Sequence, residues 1–250
     1  MKFVAIIPAR YASSRFPGKP LADMDGKPMI QRVYEQIKKS IPEVYVATDD
    51  DRILKAVEGF GGKAIMTSVA HRSGTDRCNE AYSKIGKSFD VVLNIQGDEP
   101  FIKPQQIDIL KGCFTDELVE IATLVKPFDE NVELSKLENP STPKVVITEN
   151  YEALYFSRSV IPFLRDVKKK NWASKHTFYK HIGIYGYRAD VLQKITQLPQ
   201  SVLEQAESLE QLRWIENGYK IKVGITTYET IGIDTPNDMK NAIDFLRISK

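Results

Sequence analysis

The segment PARYASSRFPGKP, residues 8–20, sets Arg10, Arg15 and Lys19 around a Ser-Ser pair directly after the apolar run FVAII. Pro8, Pro17, Gly18 and Pro20 rule out a helix there, because proline lacks the amide donor and its ring clashes with the preceding turn. The segment is therefore a shaped loop that can turn backbone N–H groups inward. With cations beside them, those groups make a concave positive wall suited to a polyphosphate, each charge-assisted hydrogen bond contributing roughly 1.5–3 kcal/mol. An ordinary solvated loop is the competing reading of the same spacing. The Walker spacing G-x-x-x-x-G-K-[ST] is absent, and GFGGK at 59–63 follows a helical stretch, so its glycines read as a helix C-cap and turn rather than a dinucleotide fingerprint.

Carboxylates form the second chemical group. VVLNIQGDEP ends a strand-length apolar run with Gln96, Gly97, Asp98 and Glu99, and GIDTP presents Asp234 after the strand-like KIKVGITT. If both strands join one parallel sheet, both aspartates reach the rim that carries the basic loop. Neighbouring carboxylates repel, and desolvation adds several kcal/mol per ion unless a cation neutralises them. Magnesium suits that task, since it takes oxygen from one or two carboxylates and keeps positions for phosphate and water. Each aspartate also has a bland reading: Asp98 as a turn or helix cap before Lys103-Pro104, Asp234 as the cap of a helix begun by D-T-P. Zinc is not expected, because His71, His176 and His181 have no matching thiol cluster. No Ser-His-Asp or Cys-His arrangement announces a covalent nucleophile.

These residues need a scaffold that gathers loop ends. Strand-length runs recur at 3–7, 44–48, 63–67 and 91–95, with helically spaced apolar residues between them, such as Met29, Val33, Ile37 and then Ile53, Leu54, Val57. The alternation predicts an α/β fold, a mostly parallel central sheet with helices on both faces and ligands at the carboxyl ends of the strands. Later runs at 144–148, 152–156, 182–189 and 220–227 read as further strands, 201–216 as one long helix, and a closing helix ends near Arg247. DVKKKNW at 166–172 is the candidate mobile surface loop, its lysines simply solvated.

Composition narrows the function classes. The chain has 250 residues, 42% of them hydrophobic, enough for one large domain or two small lobes. Lys+Arg 35 against Asp+Glu 33 leaves no field of one sign to attract nucleic acid or an acidic membrane, so an anion site must be local. Cys78 and Cys113 lie outside any C-x-x-C pattern and read as ordinary thiols in a reducing compartment. The amino-terminal apolar run is too short for a signal peptide or a membrane span, and a cytoplasmic location is expected.

PARYASSRFPGKPL, ATDD, HRSGTDR, NIQGDEP, ALYFSRSVIP, HIGIYGYR, SLEQLR and GIDTPND, in this order, resemble the 3-deoxy-manno-octulosonate (Kdo) cytidylyltransferases over nearly the whole chain. That family joins CMP from CTP to Kdo and releases pyrophosphate, for lipopolysaccharide assembly in Gram-negative bacteria. The resemblance implies a Rossmann-like nucleotidyltransferase fold in a single domain over 1–250. About 1–125 and 220–250 would form the nucleotide-binding core, and about 126–219 a smaller sugar-binding and dimerisation subregion. It implies that Arg10, Arg15 and Lys19 grip the triphosphate, that Arg72, Ser73 and Arg77 lie near the cytidine, and that Asp98 and Asp234 hold magnesium. Gln96, Arg158, His181, Tyr185 and Glu210 would face the sugar. As residues alone, Arg158 could equally make a structural ion pair, His181 be a satisfied interior imidazole, Tyr185 be sheet core and Glu210 be solvated. A homodimer through EALYF and IGIYGYR is also implied, their aromatic content suiting an interface. Other readings are a cytidylyltransferase for sialic acid or 8-amino-Kdo and a non-catalytic nucleotide sensor.

Overall fold

The computed structural model describes all residues except Ser14, Ile231, Ser249 and Lys250, and of Ile248 only the backbone. β1 (Phe3–Ala9), α1 (Met29–Lys38), β2 (Val44–Thr48), α2 (Asp51–Gly59), β3 (Ala64–Met66), α3 (Gly74–Lys84) and β4 (Val91–Asn94) reproduce the alternation expected of the first half. Side chains start two of these helices: Asp50 accepts from the Arg52 amide at α2, and Ser73 from the Asp76 amide at α3. Gly61, at φ +77, turns the chain after α2, as GFGGK predicts.

β1 pairs in parallel with β2 and β4, and β2 with β3. Val4, Ala5, Ile6 and Ile7 are all fully buried, the continuous apolar run that a strand covered on both faces requires. Register fixes the rim. Ala9 lies opposite Thr48, and Ile6 opposite Asn94, so Arg10, Asp49 and the segment Gln96–Asp98 leave the sheet at its carboxyl edge.

α4 (Pro104–Gly112) leads to β5 (Ile121–Pro127), a strand that the sequence pattern leaves unassigned. α5 (Leu134–Leu137), β6 (Lys144–Ile147), β7 (Ala153–Ser157), α6 (Trp172–Lys175), β8 (Tyr179–Arg188) and α7 (Ala189–Ile195) follow. The single helix expected over 201–216 is two, α8 (Val202–Glu207) and α9 (Gln211–Glu216), before β9 (Ile221–Ile225) and α10 (Pro236–Ile248). Ser208 causes the break by adopting φ +50 at the end of α8. The Arg158 guanidinium then takes the carbonyls of Glu207 (2.6 Å) and Ser208 (3.1 Å), filling the acceptors a continuing helix would have used.

Contacts divide the chain into two units, one of residues 1–108, 186–196 and 230–250, the other of 109–185 and 197–229. The first holds β1 to β4. In the second, β5 pairs in parallel with β9, while β6 runs antiparallel to β7 and β8, so the sheet is mixed. DVKKKNW lies on the surface as expected, its lysines exposed, and is tied down at its end. Trp172 is buried with Leu137 and Phe178, and its Nε1 donates to the Val167 carbonyl (2.9 Å), while Lys169 pairs with Glu138. The aromatic rings of EALYF and IGIYGYR are also largely inside: Phe156, Tyr185 and Tyr187 are buried in their own chain, and Leu154 is the exposed large apolar residue of those segments. Among the described residues no helix is long and apolar enough to cross a membrane.

Candidate active site

A cavity of about 240 Å³ opens at the carboxyl edge of β1 and β4 in the first unit, lined by Arg10, Arg15, Lys19, Arg72, Asp98 and Asp234, among others. Loop geometry delivers the cations. Gly18 sits at φ +71, and a Cβ there would come within 3.0 Å of the Tyr11 ring, so only glycine allows the chain to turn toward Lys19. A Cβ at Gly97 would lie 3.1 Å from the Pro8 carbonyl oxygen, which lets the Asp98 turn close against the start of the basic loop.

Lys19 joins the carboxylates. Its Nζ donates to Asp98 Oδ2 (2.7 Å), the Ile233 carbonyl (2.7 Å) and Asp234 Oδ1 (3.4 Å), and Arg15 Nη2 donates to Asp234 Oδ1 (2.9 Å). The Ile233 amide donates to the Asp98 carbonyl (3.0 Å), tying the GIDTP segment to the turn after β4. The two aspartates thus meet, and the strands that precede them, β4 and β9, belong to one sheet as expected, though that sheet is mixed. β9 stops at Ile225 in the second unit, and Asp234 reaches the first unit on the returning segment 230–250. Neither aspartate caps a helix with its side chain. Thr235 Oγ1 accepts from the Asp238 amide (3.2 Å), and Asp238 Oδ2 accepts from the Thr235 amide (2.9 Å), a reciprocal cap that leaves Asp234 facing the cations.

Among the described residues no cluster of three or more His, Cys, Asp or Glu side chains could cage a metal. The donor set still fits the magnesium expected from the sequence. Asp98 and Asp234 turn carboxylate oxygens to one ammonium, and Glu99 Oε2 behind them is buried without a hydrogen-bond partner. Burial, then Asp98 and Asp234 against a smaller opposing effect of Lys19, push the Glu99 carboxyl up to about 8. Lys19 and Arg15 between them meet one oxygen of each aspartate, and two carboxylates with open oxygen positions are what magnesium takes.

The residues expected near a cytidine all line the cavity, but with different freedom. Arg77 is buried and committed to Thr67 Oγ1 (2.6 Å) and Asp49 Oδ2 (2.7 Å), and the Ser73 hydroxyl caps α3. Arg10 and Arg72 are exposed and make no ion pair among the described residues, so they are the cations left for a ligand. His71, for which the sequence pattern suggests no role here, also lines the cavity and is held through Nε2 by Glu80. Burial opposes the Glu80 charge, but Lys84, the Ser68 amide and His71 outweigh it and hold the carboxyl at about 2.

Of the residues expected at a sugar, Gln96 is in the first unit, lining the cavity and donating to Asn94 Oδ1 (2.9 Å). The other four are in the second unit. The His181 and Tyr185 rings meet at a tilt of 52°, 5.3 Å between centroids, and Tyr185 meets Trp214 edge-on at 5.1 Å. Burial raises the Tyr185 phenol well above its ordinary value, and the Glu210 carboxylate adds to the shift, which puts these three residues in one neighbourhood. Burial also lowers His181 to about 3, so its imidazole is neutral, facing Thr123 Oγ1 at 3.1 Å. Arg158 stands apart, its amide and guanidinium on Glu207 and its Nη1 on the Pro140 carbonyl (2.9 Å).

The Cytidylyltransferase family profile matches residues 4–221. A 3-deoxy-manno-octulosonate cytidylyltransferase of Parabacteroides distasonis is 68% identical over 98% of this chain and 98% of its own. The chain belongs to the 3-deoxy-manno-octulosonate cytidylyltransferases. Its relative in Phocaeicola vulgatus, of the same name, is 64% identical over 99% of this chain and 98% of its own. Among solved structures, the CMP:2-keto-3-deoxy-manno-octonic acid synthetase complexed with CTP superposes with a TM-score of 0.91 at 46% identity, each chain covered completely. The Rossmann-like nucleotidyltransferase fold of the family is thus also the fold of this chain.

Proposed function

We infer that the protein transfers CMP from CTP to the anomeric hydroxyl of Kdo, releasing pyrophosphate and giving CMP-Kdo for lipopolysaccharide synthesis. The observation that carries this reading is the cationic cavity with its converging aspartates, in a chain 68% identical to a Kdo cytidylyltransferase. Arg10, Arg15 and Lys19 bind the triphosphate, Arg72 with Ser73 and Arg77 bounds the cytidine, and Gln96, Arg158, His181, Tyr185 and Glu210 serve the sugar. Asp98 and Asp234 would hold magnesium, which when bound would supply positive charge to the transferring phosphoryl group and acidify the attacking hydroxyl.

The chain's own residues solve a problem of charge. CTP and Kdo are both anions, and two unit charges at about 4 Å interact by roughly 4 kcal/mol at an effective dielectric near 20. Fixed guanidinium and ammonium groups cancel that repulsion before the substrates meet, and no reorganisation is needed as charge moves to the leaving pyrophosphate. Lys19 is built for this, since only 13% of its side chain is exposed and its Nζ is already aimed at the aspartates. Residues of the second unit supply the sugar subregion. A homodimer and a cytoplasmic location complete the reading, on the strength of the family likeness.

Pyrophosphate release from CTP with a panel of Kdo, 8-amino-Kdo and sialic acid tests the reaction, with Kdo expected to turn over fastest. Faster turnover of either other sugar would move the substrate assignment, and CTP binding without release for every sugar would make the protein a sensor. Asp98→Asn should abolish turnover and leave the circular dichroism spectrum unchanged. Near-normal rates in that variant at limiting magnesium would remove the metal assignment.

A further inference from the structure

The base of the triphosphate loop is closed by a stack that the chemistry above does not use. The chain leaves β1 at Arg10 and folds back at Gly18, whose amide donates to the Tyr11 carbonyl (2.9 Å). The Tyr11 ring packs so closely on Gly18 that any Cβ there would stand 3.0 Å from the ring Cζ and hydroxyl. Above the ring lies the Arg52 guanidinium, its Cζ 3.3 Å from the centroid. Asp50 fixes that guanidinium in turn, through Nε to Oδ1 (2.9 Å) and Nη2 to Oδ2 (2.6 Å), while also capping α2 through the Arg52 amide.

An exposed ion pair between near neighbours contributes little by itself. A bidentate carboxylate, however, sets the plane of a guanidinium, and a planar guanidinium stacks on an aromatic face as an ammonium cannot. The contacts therefore run from the amino end of α2 through Asp50 and Arg52 to Tyr11 and Gly18, one residue from Lys19. We propose that Arg52, oriented by Asp50, is a positioning residue for CTP: it presses Tyr11 against Gly18 and so fixes where Arg15 and Lys19 meet the triphosphate. This rests on reading the loop as the triphosphate site.

Full-length wild type, Arg52→Ala, Tyr11→Leu and Tyr11→Phe are compared by calorimetric CTP affinity, steady-state turnover, thermal midpoint and hydrogen exchange at the Gly18 amide. Loss of the stack should weaken CTP about two- to fivefold in Arg52→Ala and Tyr11→Leu, the ratio set by an exposed cation–π contact. Gly18 exchange should quicken in the same variants. KM for Kdo and the thermal midpoint should not move, and Tyr11→Phe, which keeps the ring, should match wild type. Unchanged CTP affinity in Arg52→Ala and Tyr11→Leu overturns the proposal, as does an equal loss in Tyr11→Phe or a parallel rise in the KM for Kdo. Wild-type protein that bound no CTP would overturn the triphosphate reading itself, while Gly18 exchange would still show whether the stack holds the loop.

Discussion

Glu99 carries a prediction of its own. Its folded value of about 8 lies above the ordinary 4.5, so over that interval the folded chain holds a proton that the unfolded chain has released. Stability must then fall as pH rises past 4.5, and level off above about 8, where both states are ionised. In buffer free of divalent cations, wild type should lose stability relative to Glu99→Gln by a few kcal/mol between about pH 5 and 8, at up to roughly 1.4 kcal/mol per pH unit. Urea midpoints at several pH values check this, and parallel curves for the two proteins would refute it. Residue types in QGDEP and GIDTP made the aspartates and the basic loop legible in the sequence, because charge and chain order suffice to suggest them. The burial of Glu99 was not legible, since it depends on the return of segment 230–250. The same holds for the cap at α10: D-T-P marks a helix start correctly, but which of Asp234 and Thr235 does the capping is settled by side-chain direction.

At the scale of elements, the corner between α8 and α9 shows where periodicity misleads. Helical spacing runs through SVLEQAESLEQLRWIE without a proline or glycine, yet the helix breaks at Ser208, where Arg158, just past the end of β7, takes the terminal carbonyls. Across that corner Glu204 and Arg213, each only 8% exposed, form a two-pronged pair at 2.7 and 2.5 Å. Glu204 also closes a capping box on Ser201 at the start of α8. Arg213→Met would leave a buried carboxylate unpaired and should cost about 3–5 kcal/mol in urea unfolding. Adding Glu204→Gln keeps a side chain for the capping box and removes the charge, so the double variant should recover most of that loss. A double variant no more stable than Arg213→Met would show that the arginine serves packing instead. β5 illustrates the opposite failure. Its run IATLV is as apolar as the other strands, but the helix before it, α4, sets Ile107, Ile109 and Leu110 in no single helical stripe, so the sequence does not frame a βα repeat there.

The molecule as a whole is built from units that are not continuous in sequence, which no local pattern reveals. The first unit takes its last piece from residues 230–250, beyond the entire second unit. That piece contributes more than Asp234. Ile233, Met239 and Ala242 are buried with Met24, Met29 and Phe101, so the segment that carries a proposed metal ligand also closes part of the core around the start of α1. Fully burying a large aliphatic side chain is worth about 1.5–3 kcal/mol, so Ile233 and Met239 alone contribute about 3–6 kcal/mol. Native domains have only about 5–15 kcal/mol in hand. A chain ending at Glu229 should therefore lose cooperative unfolding of the first unit and bind no CTP, whereas Asp234→Asn in the full chain should keep its urea midpoint and lose turnover alone. The contrast separates architecture from chemistry in one stretch of sequence. If the shortened chain kept a full-length urea midpoint, the core would close without its carboxyl-terminal return, and Asp234 would be carried on a tail that nothing in the first unit needs to place.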